Sequence, residues 1–212
     1  MFSTVFFDLD DTLYPAGCGL WRTIKDRMNL YMIERLHIPA EEVPALREKL
    51  FREYGTTLRG LERHYPVDVA DYLAFVHAVP LRDYIKPDPR LRAALEKLPA
   101  RKLIFTNADV AHAVRVMNVI GVRDCFDGII DVNAIAPYCK PMPESFEIAL
   151  KLAGERDPRQ CVMIDDLPRT TKAAHEFGLF SILFGQPESH PDADAVLNDW
   201  DELNELLRHA YK

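Results

Sequence analysis

Residues Ser3 to Pro15 read STVFFDLDDTLYP. Ser3 to Asp8 is apolar and aromatic enough for a buried strand, and it runs straight into a turn that carries Asp8, Asp10 and Asp11. Outward from there, Leu20 to about Val79 is helical in pattern: Ile24, Met28 and Tyr31, then Val43, Leu46, Leu50 and Tyr54, recur at three- and four-residue steps. Pro39, Pro44, Pro66 and Pro80 divide this stretch, Pro87 and Pro89 close it, and Leu91 to Leu98 reads as a helix. The remainder alternates. Strands are predicted at Lys102 to Thr106, Gly128 to Val132, Gln160 to Asp165, Phe180 to Phe184 and, more weakly, Ala195 to Leu197. Helices are predicted at Asp109 to Ile120, Glu144 to Ala153, Arg169 to Phe177 and Asp201 to Ala210. Strands joined by helical crossovers imply an α/β fold with a parallel sheet covered on both faces, and such sheets bind ligands at the carboxyl ends of their strands.

Composition narrows the function. With 212 residues, 48% of them hydrophobic, and 26 Lys plus Arg against 33 Asp plus Glu, the chain has ample material for a core and a net charge of −7. That balance argues against a nucleic-acid polymer as partner, which needs a clustered basic face. No apolar run approaches the roughly 20 residues of a membrane span, and no basic n-region precedes the first strand; a cytoplasmic protein is expected. The four cysteines form no CxxC pair and no His cluster has ligand spacing, so neither a disulfide framework nor a zinc site is indicated. Among nine glycines there is no GxxxxGK[ST] run, and Gly17 with Gly19 meets Arg22 where a GxGxxG turn needs its third glycine.

The polar residues at strand ends carry the chemistry. Asp8, Thr106 and the pair Asp165 and Asp166 all fall at carboxyl ends, and Lys140 lies in the loop after another strand. Two like charges 4 Å apart repel by about 4 kcal/mol at an effective dielectric of 20, so Asp8, Asp10, Asp165 and Asp166 in one crevice call for a cation. An all-oxygen set suits a hard divalent ion, and Mg²⁺ tolerates a few carboxylates beside waters and a phosphate oxygen. An aspartate that attacks phosphorus forms an acyl phosphate and divides a hard hydrolysis into two easier steps. Asp8, first after the strand, is placed to attack. Asp10 is placed to protonate the leaving oxygen and later to deprotonate water, with its carbonyl available to the metal. Thr106 offers a hydroxyl to the transferring phosphoryl group, Lys140 a fixed positive charge, and Asp165 and Asp166 an anchor for the ion.

FFDLDDTLYP at Phe6 to Pro15, TNAD at Thr106 to Asp109, Lys140 with Pro141, and IDD at Ile164 to Asp166 resemble the four ordered motifs of the haloacid dehalogenase superfamily. The resemblance spans nearly the whole chain. It implies a Rossmann-like core from residues 1–16 and 85–212, with a helical cap inserted at 17–84. It also implies Asp8 as nucleophile, Asp10 as acid and base, and Mg²⁺ held by Asp8, the Asp10 carbonyl and the last two aspartates, Asp166 directly and Asp165 through water. Within the superfamily, LYP, TNADVAHA at Thr106 to Ala113 and YGTTLRGL at Tyr54 to Leu61 are similar to the pyrimidine 5′-nucleotidase branch, which implies UMP or CMP as substrate.

Other side chains divide between site and scaffold. Tyr54 and Arg59 are candidates for contacting base, ribose or phosphate from the cap; the competing expectation has Tyr54 in the apolar stripe and Arg59 solvated. Asn107 is read as a contact to phosphate or water, or as a helix cap like Asp109. His112 is expected to be structural, His64 and His77 to lack partners, Cys139 to be packed and inert, and Trp21, Met28 and Tyr31 to form the cap's core, with one of the three open to the crevice as the alternative. Dehalogenation would use the same Asp on carbon without Mg²⁺, so the acidic metal pair favours phosphorus. A sugar-phosphate mutase or a phosphatase of small metabolites would share every core residue. A phospho-acceptor receiver module is disfavoured by the position of Asp8 on the first strand and by the long helical insertion.

Overall fold

The computed structural model describes residues 2–186 and 189–211. Six strands, β1 (Thr4–Phe7), β2 (Arg101–Phe105), β3 (Gly128–Ile130), β4 (Cys161–Asp165), β5 (Phe180–Phe184) and β6 (Ala195–Leu197), form one parallel sheet in the order β3-β2-β1-β4-β5-β6. Every residue of β1 and β4 is buried, as expected of strands covered on both sides. Successive side chains point to opposite faces, and the sheet sorts them accordingly. Val5, Phe7, Ile104, Val162 and Ile164 enter one core, and Phe6, Leu103, Phe105, Cys161 and Met163 enter the other. The predicted α/β class and the five later strands are present.

Nine helices accompany the sheet among the described residues. Four of them, α1 (Leu20–Glu34), α2 (Val43–Tyr54), α3 (Thr57–His64) and α4 (Val69–Val76), lie in the chain between β1 and α5 (Pro89–Lys97). They are followed by α6 (Val110–Ile120), α7 (Pro143–Ala153), α8 (Pro168–Phe177) and α9 (Leu203–Ala210). The last starts later than the sequence pattern suggests, because Trp200–Glu202 forms a tighter 3₁₀ turn capped by Asp199.

The inserted helices bury a core of their own, in which Tyr31, Met32, Leu50, Leu61, Tyr72 and Val76 meet. Gly60 lets α3 cross close to α2, since a Cβ there would lie 2.6 Å from that of Leu50. Guanidinium groups fasten these helices to the rest. Arg169 at the start of α8 donates to the Gly55 carbonyl at 2.7 Å, and Arg115 of α6 donates to the carbonyls of His77 and Val79, each at 2.7 Å. Tyr72 is 1% exposed and its hydroxyl has no hydrogen-bond partner among the described residues. A buried, unpaired hydroxyl costs about 1–3 kcal/mol. Tyr72→Phe is therefore expected to hold the Tm or raise it by a few degrees in thermal denaturation. A clear fall would show that the hydroxyl is satisfied after all.

Candidate active site

The strand order dictates the site. β1 lies between β2 and β4, and Phe7 is registered with Ile104 on one side and Ile164 on the other, so Asp8 leaves the sheet level with Asp165. The Asp8 N–H still donates to the Ile164 carbonyl at 2.8 Å, which fixes its backbone. Thr106 follows β2 and is tied to β3 by its N–H to Ile130 at 3.0 Å. Asp11 then adopts a left-handed backbone, φ 58°, a conformation Asp tolerates better than most residues. The chain thereby reverses, and Thr12 returns beneath Asp8.

Lys140 is the hub of the charges. Its ammonium lies 2.7 Å from Asp8 Oδ1 and 2.7 Å from Asp165 Oδ2, and it is 2% exposed. Asn107 holds it there through a reciprocal pair: the Asn107 amide donates to the Lys140 carbonyl and accepts from the Lys140 N–H, both at 2.9 Å. Asp165 Oδ1 is occupied by the Leu167 N–H at 2.9 Å. Asp166 is freer, with only a weak bond from the Thr12 hydroxyl at 3.3 Å among the described residues. Oxygens of Asp8, Asp165 and Asp166 all lie within 4.8 Å of one another.

Asp8 and Asp165 thus share one ammonium with Asp166 close by, and the balance shows in the acidities of Asp8 and Asp166. Burial, opposed by Lys140 and reinforced by Asp165, lifts Asp8 to about 7. Burial together with the charges of Asp165 and Asp8 lifts Asp166 to about 8. Lys140 is held above its ordinary range, because Asp165 and Asp8 outweigh the effect of its burial. The donor set is all oxygen and short of positive charge, which fits a hard divalent cation.

Asp10 lies in a different environment. Its Oδ1 accepts from the Tyr14 hydroxyl at 2.7 Å and meets His112 Nε2 at 2.8 Å. Burial pushes Asp10 up, but His112, then His77 and Tyr14, outweigh it and hold the carboxyl below the usual range. His77 Nδ1 lies 3.1 Å from Asp109, and its ring stacks on His112. Burial lowers the pKa of His77 below the ordinary value for imidazole.

The crevice over these groups measures about 250 Å³. Asp8, Asp10, Thr106, Asn107, Lys140, Asp165 and Asp166 all line it, so seven of the residues singled out in the sequence meet in one place. Tyr54 and Arg59 do not. The Arg59 guanidinium is spent on the carbonyls of Tyr138 and Val132 and on Glu62, stapling α3 to the loop after β3. The Tyr54 hydroxyl points outward to His64 Nε2 at 2.7 Å. Both are corrections to the substrate-contact expectation: each side chain already has protein partners that turn it from the crevice. Instead Trp21, Met28, Phe51, Leu58 and Arg169 supply the wall, while Tyr31 remains in the helical core. His64 and His77, expected without partners, have them. His112 and Tyr14 were not read as site residues. The Asp10 to Tyr14 spacing of four was the one available signal for Tyr14, and nothing in sequence joins His112 to Asp10.

Residues 2–178 match the haloacid dehalogenase-like hydrolase family, and the chain belongs to it. It is 31% identical over 192 residues to Phosphate metabolism protein 8 of Saccharomyces cerevisiae, covering 84% of this chain. It spans 60% of that relative's length. It is 22% identical to a glyceraldehyde 3-phosphate phosphatase of Methanothermobacter thermautotrophicus, over 98% of this chain and 100% of that one. In fold it is similar to CbbY from Rhodobacter sphaeroides in complex with phosphate, with a TM-score of 0.68, 22% identity and 96% of each chain covered.

Proposed function

We propose that this protein is a Mg²⁺-dependent phosphomonoesterase that works through an aspartyl phosphate on Asp8, with UMP or CMP as substrate. The observation that carries the reading is the placement of Lys140, 2.7 Å from both Asp8 and Asp165, in a nest of three carboxylates. Attack on carbon needs no such acidic nest; attack by a carboxylate on an anionic phosphate needs concentrated positive charge. The phosphate named in the relatives from yeast and Methanothermobacter supports the same class.

Asp8 attacks phosphorus while Lys140 orients its carboxylate and shields it from the phosphoryl oxygens. Thr106, whose Oγ1 accepts from the Ala108 N–H at 3.0 Å, has its hydroxyl hydrogen left for a phosphoryl oxygen. The negative charge of the phosphate substrate opposes His112 and favours a protonated Asp10; Asp10 gives that proton to the departing oxygen, then takes one from the water that attacks the phosphorus of the acyl phosphate, restoring both aspartates. Asp8, Asp166 and the Asp10 carbonyl, with Asp165 behind them, would hold Mg²⁺, which supplies the charge that lets two anions meet. The pyrimidine finds support in the crevice wall, where Trp21, Phe51 and Leu58 suit a flat ring and Arg47 suits its carbonyls or the phosphate. The Methanothermobacter relative's name keeps a small phosphorylated metabolite as the second reading.

Phosphate release from UMP, CMP, AMP, sugar phosphates and p-nitrophenyl phosphate, with and without chelator, tests this. A chelator is expected to remove activity by more than about 100-fold. Undiminished activity contradicts the metal assignment, and a preference for sugar phosphates overturns the pyrimidine. A second outcome concerns pH. Folding raises Asp8 to about 7 and Asp166 to about 8 from 3.8, so it favours their protonated forms. The stability they contribute is complete at low pH and is lost as pH rises through those two values. Mg²⁺ favours the ionised forms, so the Tm gain on adding it should grow between about pH 7 and 9. A gain that is flat over this window contradicts the assignment of these two carboxylates.

A further inference from the structure

Asp10 is gripped at one oxygen only. The Tyr14 hydroxyl and His112 Nε2 converge on its Oδ1 at 2.7 and 2.8 Å, and Oδ2 accepts from neither. His112 is fully buried, 0% exposed at the side chain, and it has no freedom to turn. Its ring stacks on that of His77 with centroids 4.1 Å apart and an interplanar angle of 18°. Asp109 fixes both residues, meeting His77 Nδ1 at 3.1 Å and accepting the His112 backbone N–H at 3.1 Å. His112 Nδ1 has no partner among the described residues, so the hydrogen that finds an acceptor is the one on Nε2. An Nε2–H donor therefore points at Asp10 from a direction that the protein holds fixed.

We infer that His112 is a positioning residue for the acid and base of this enzyme: with Tyr14 it pins Asp10 Oδ1 and leaves Oδ2 as the oxygen that exchanges protons with the reacting groups. The inference rests on the phosphomonoesterase reading above. In the first half-reaction the Oδ2–H proton passes to the leaving-group oxygen as its bond to phosphorus breaks. In the second, Oδ2 takes a proton from water as the new phosphorus–oxygen bond forms and the bond to Asp8 breaks. The proton count is unchanged over the cycle. A misplacement of about 1 Å in such a group costs on the order of 100-fold in rate, so the second donor matters even with Tyr14 present.

The test compares kcat/KM, which reports events up to departure of the leaving group, on UMP and on p-nitrophenyl phosphate. The nucleoside alkoxide needs a proton to leave, and the nitrophenolate does not. His112→Phe keeps the stack on His77 and loses the donor; His112→Gln keeps a donor at similar reach. For Phe the expected loss is about 30- to 100-fold on UMP and less than about threefold on p-nitrophenyl phosphate, with Gln restoring UMP to within about tenfold of wild type. His112→Leu is made alongside, so that a Phe variant that fails to fold does not end the test. Equal losses on both esters, or a Gln variant no better than Phe, overturn the inference. A crystal structure of the donor-less variant judges it independently: Asp10 turned from its place supports it, and Asp10 unmoved overturns it. Should the wild type cleave no ester of the wider panel, sugar phosphates included, the phosphomonoesterase reading falls, and the position of Asp10 in that crystal structure still decides the role of His112.

Discussion

Asp8→Asn is expected to lower phosphate release by at least about 10⁴-fold while leaving the protein folded. The amide has nearly the shape of the carboxylate but cannot form an acyl phosphate. Its backbone would keep the N–H bond to Ile164 at 2.8 Å, and the side-chain oxygen would still accept from Lys140, now 2.7 Å from Asp8 Oδ1. Stability should hold or improve in metal-free protein above about pH 7, because one of three clustered carboxylates loses its charge. Rate and Tm measured on the same preparation check both halves. Lost activity accompanied by a large fall in Tm would point to misfolding and not to a missing nucleophile.

Lys140→Met should damage both properties at once. The ammonium is 2% exposed and is shared by Asp8 and Asp165, so its removal strands two buried carboxylates. Breaking a buried pair from one side typically costs about 3–5 kcal/mol, which for a chain of this size corresponds to a Tm lower by roughly 6–20 °C. Activity should fall by about 10³-fold or more, since the nucleophile loses the group that keeps it ionised and aimed. The double variant Asp8→Asn with Lys140→Met should recover part of the lost stability, because one of the stranded charges is gone. Tm changes that simply add in that cycle would show that the pair does not couple.

Much of this arrangement could be read from the sequence, and the reason is geometric. A parallel sheet delivers the residues at its carboxyl ends to one rim, so strands read as ending at Asp8, Thr106 and Asp165 were enough to bring those three side chains together. Lys140 was legible as the lone cation in a loop on the same side. The cap was legible only as helices. Three- and four-residue spacing shows that Tyr54 and Arg59 lie on helices but not which way each helix turns, and partners distant in sequence, His64 for one and Tyr138 with Val132 for the other, decided that. The same limit concealed His112. Its bond to Asp10 depends on α6 docking beside the turn after β1, and its fixed ring plane depends on His77 arriving from the end of α4. Neither contact leaves a periodicity. Asn107 shows an intermediate case: its position beside Thr106 announced a role, but its grip on the Lys140 backbone came from the fold.

The central claim is that the Asp8 carboxylate itself becomes phosphorylated. The most direct measurement is a crystal structure of the wild-type protein with Mg²⁺ and beryllofluoride, which mimics an acyl phosphate. The account predicts beryllium bonded to a carboxylate oxygen of Asp8, with fluorines against Thr106 and Lys140. Beryllium bonded elsewhere, or an Asp8 carboxylate left bare in protein that hydrolyses phosphomonoesters, would contradict it.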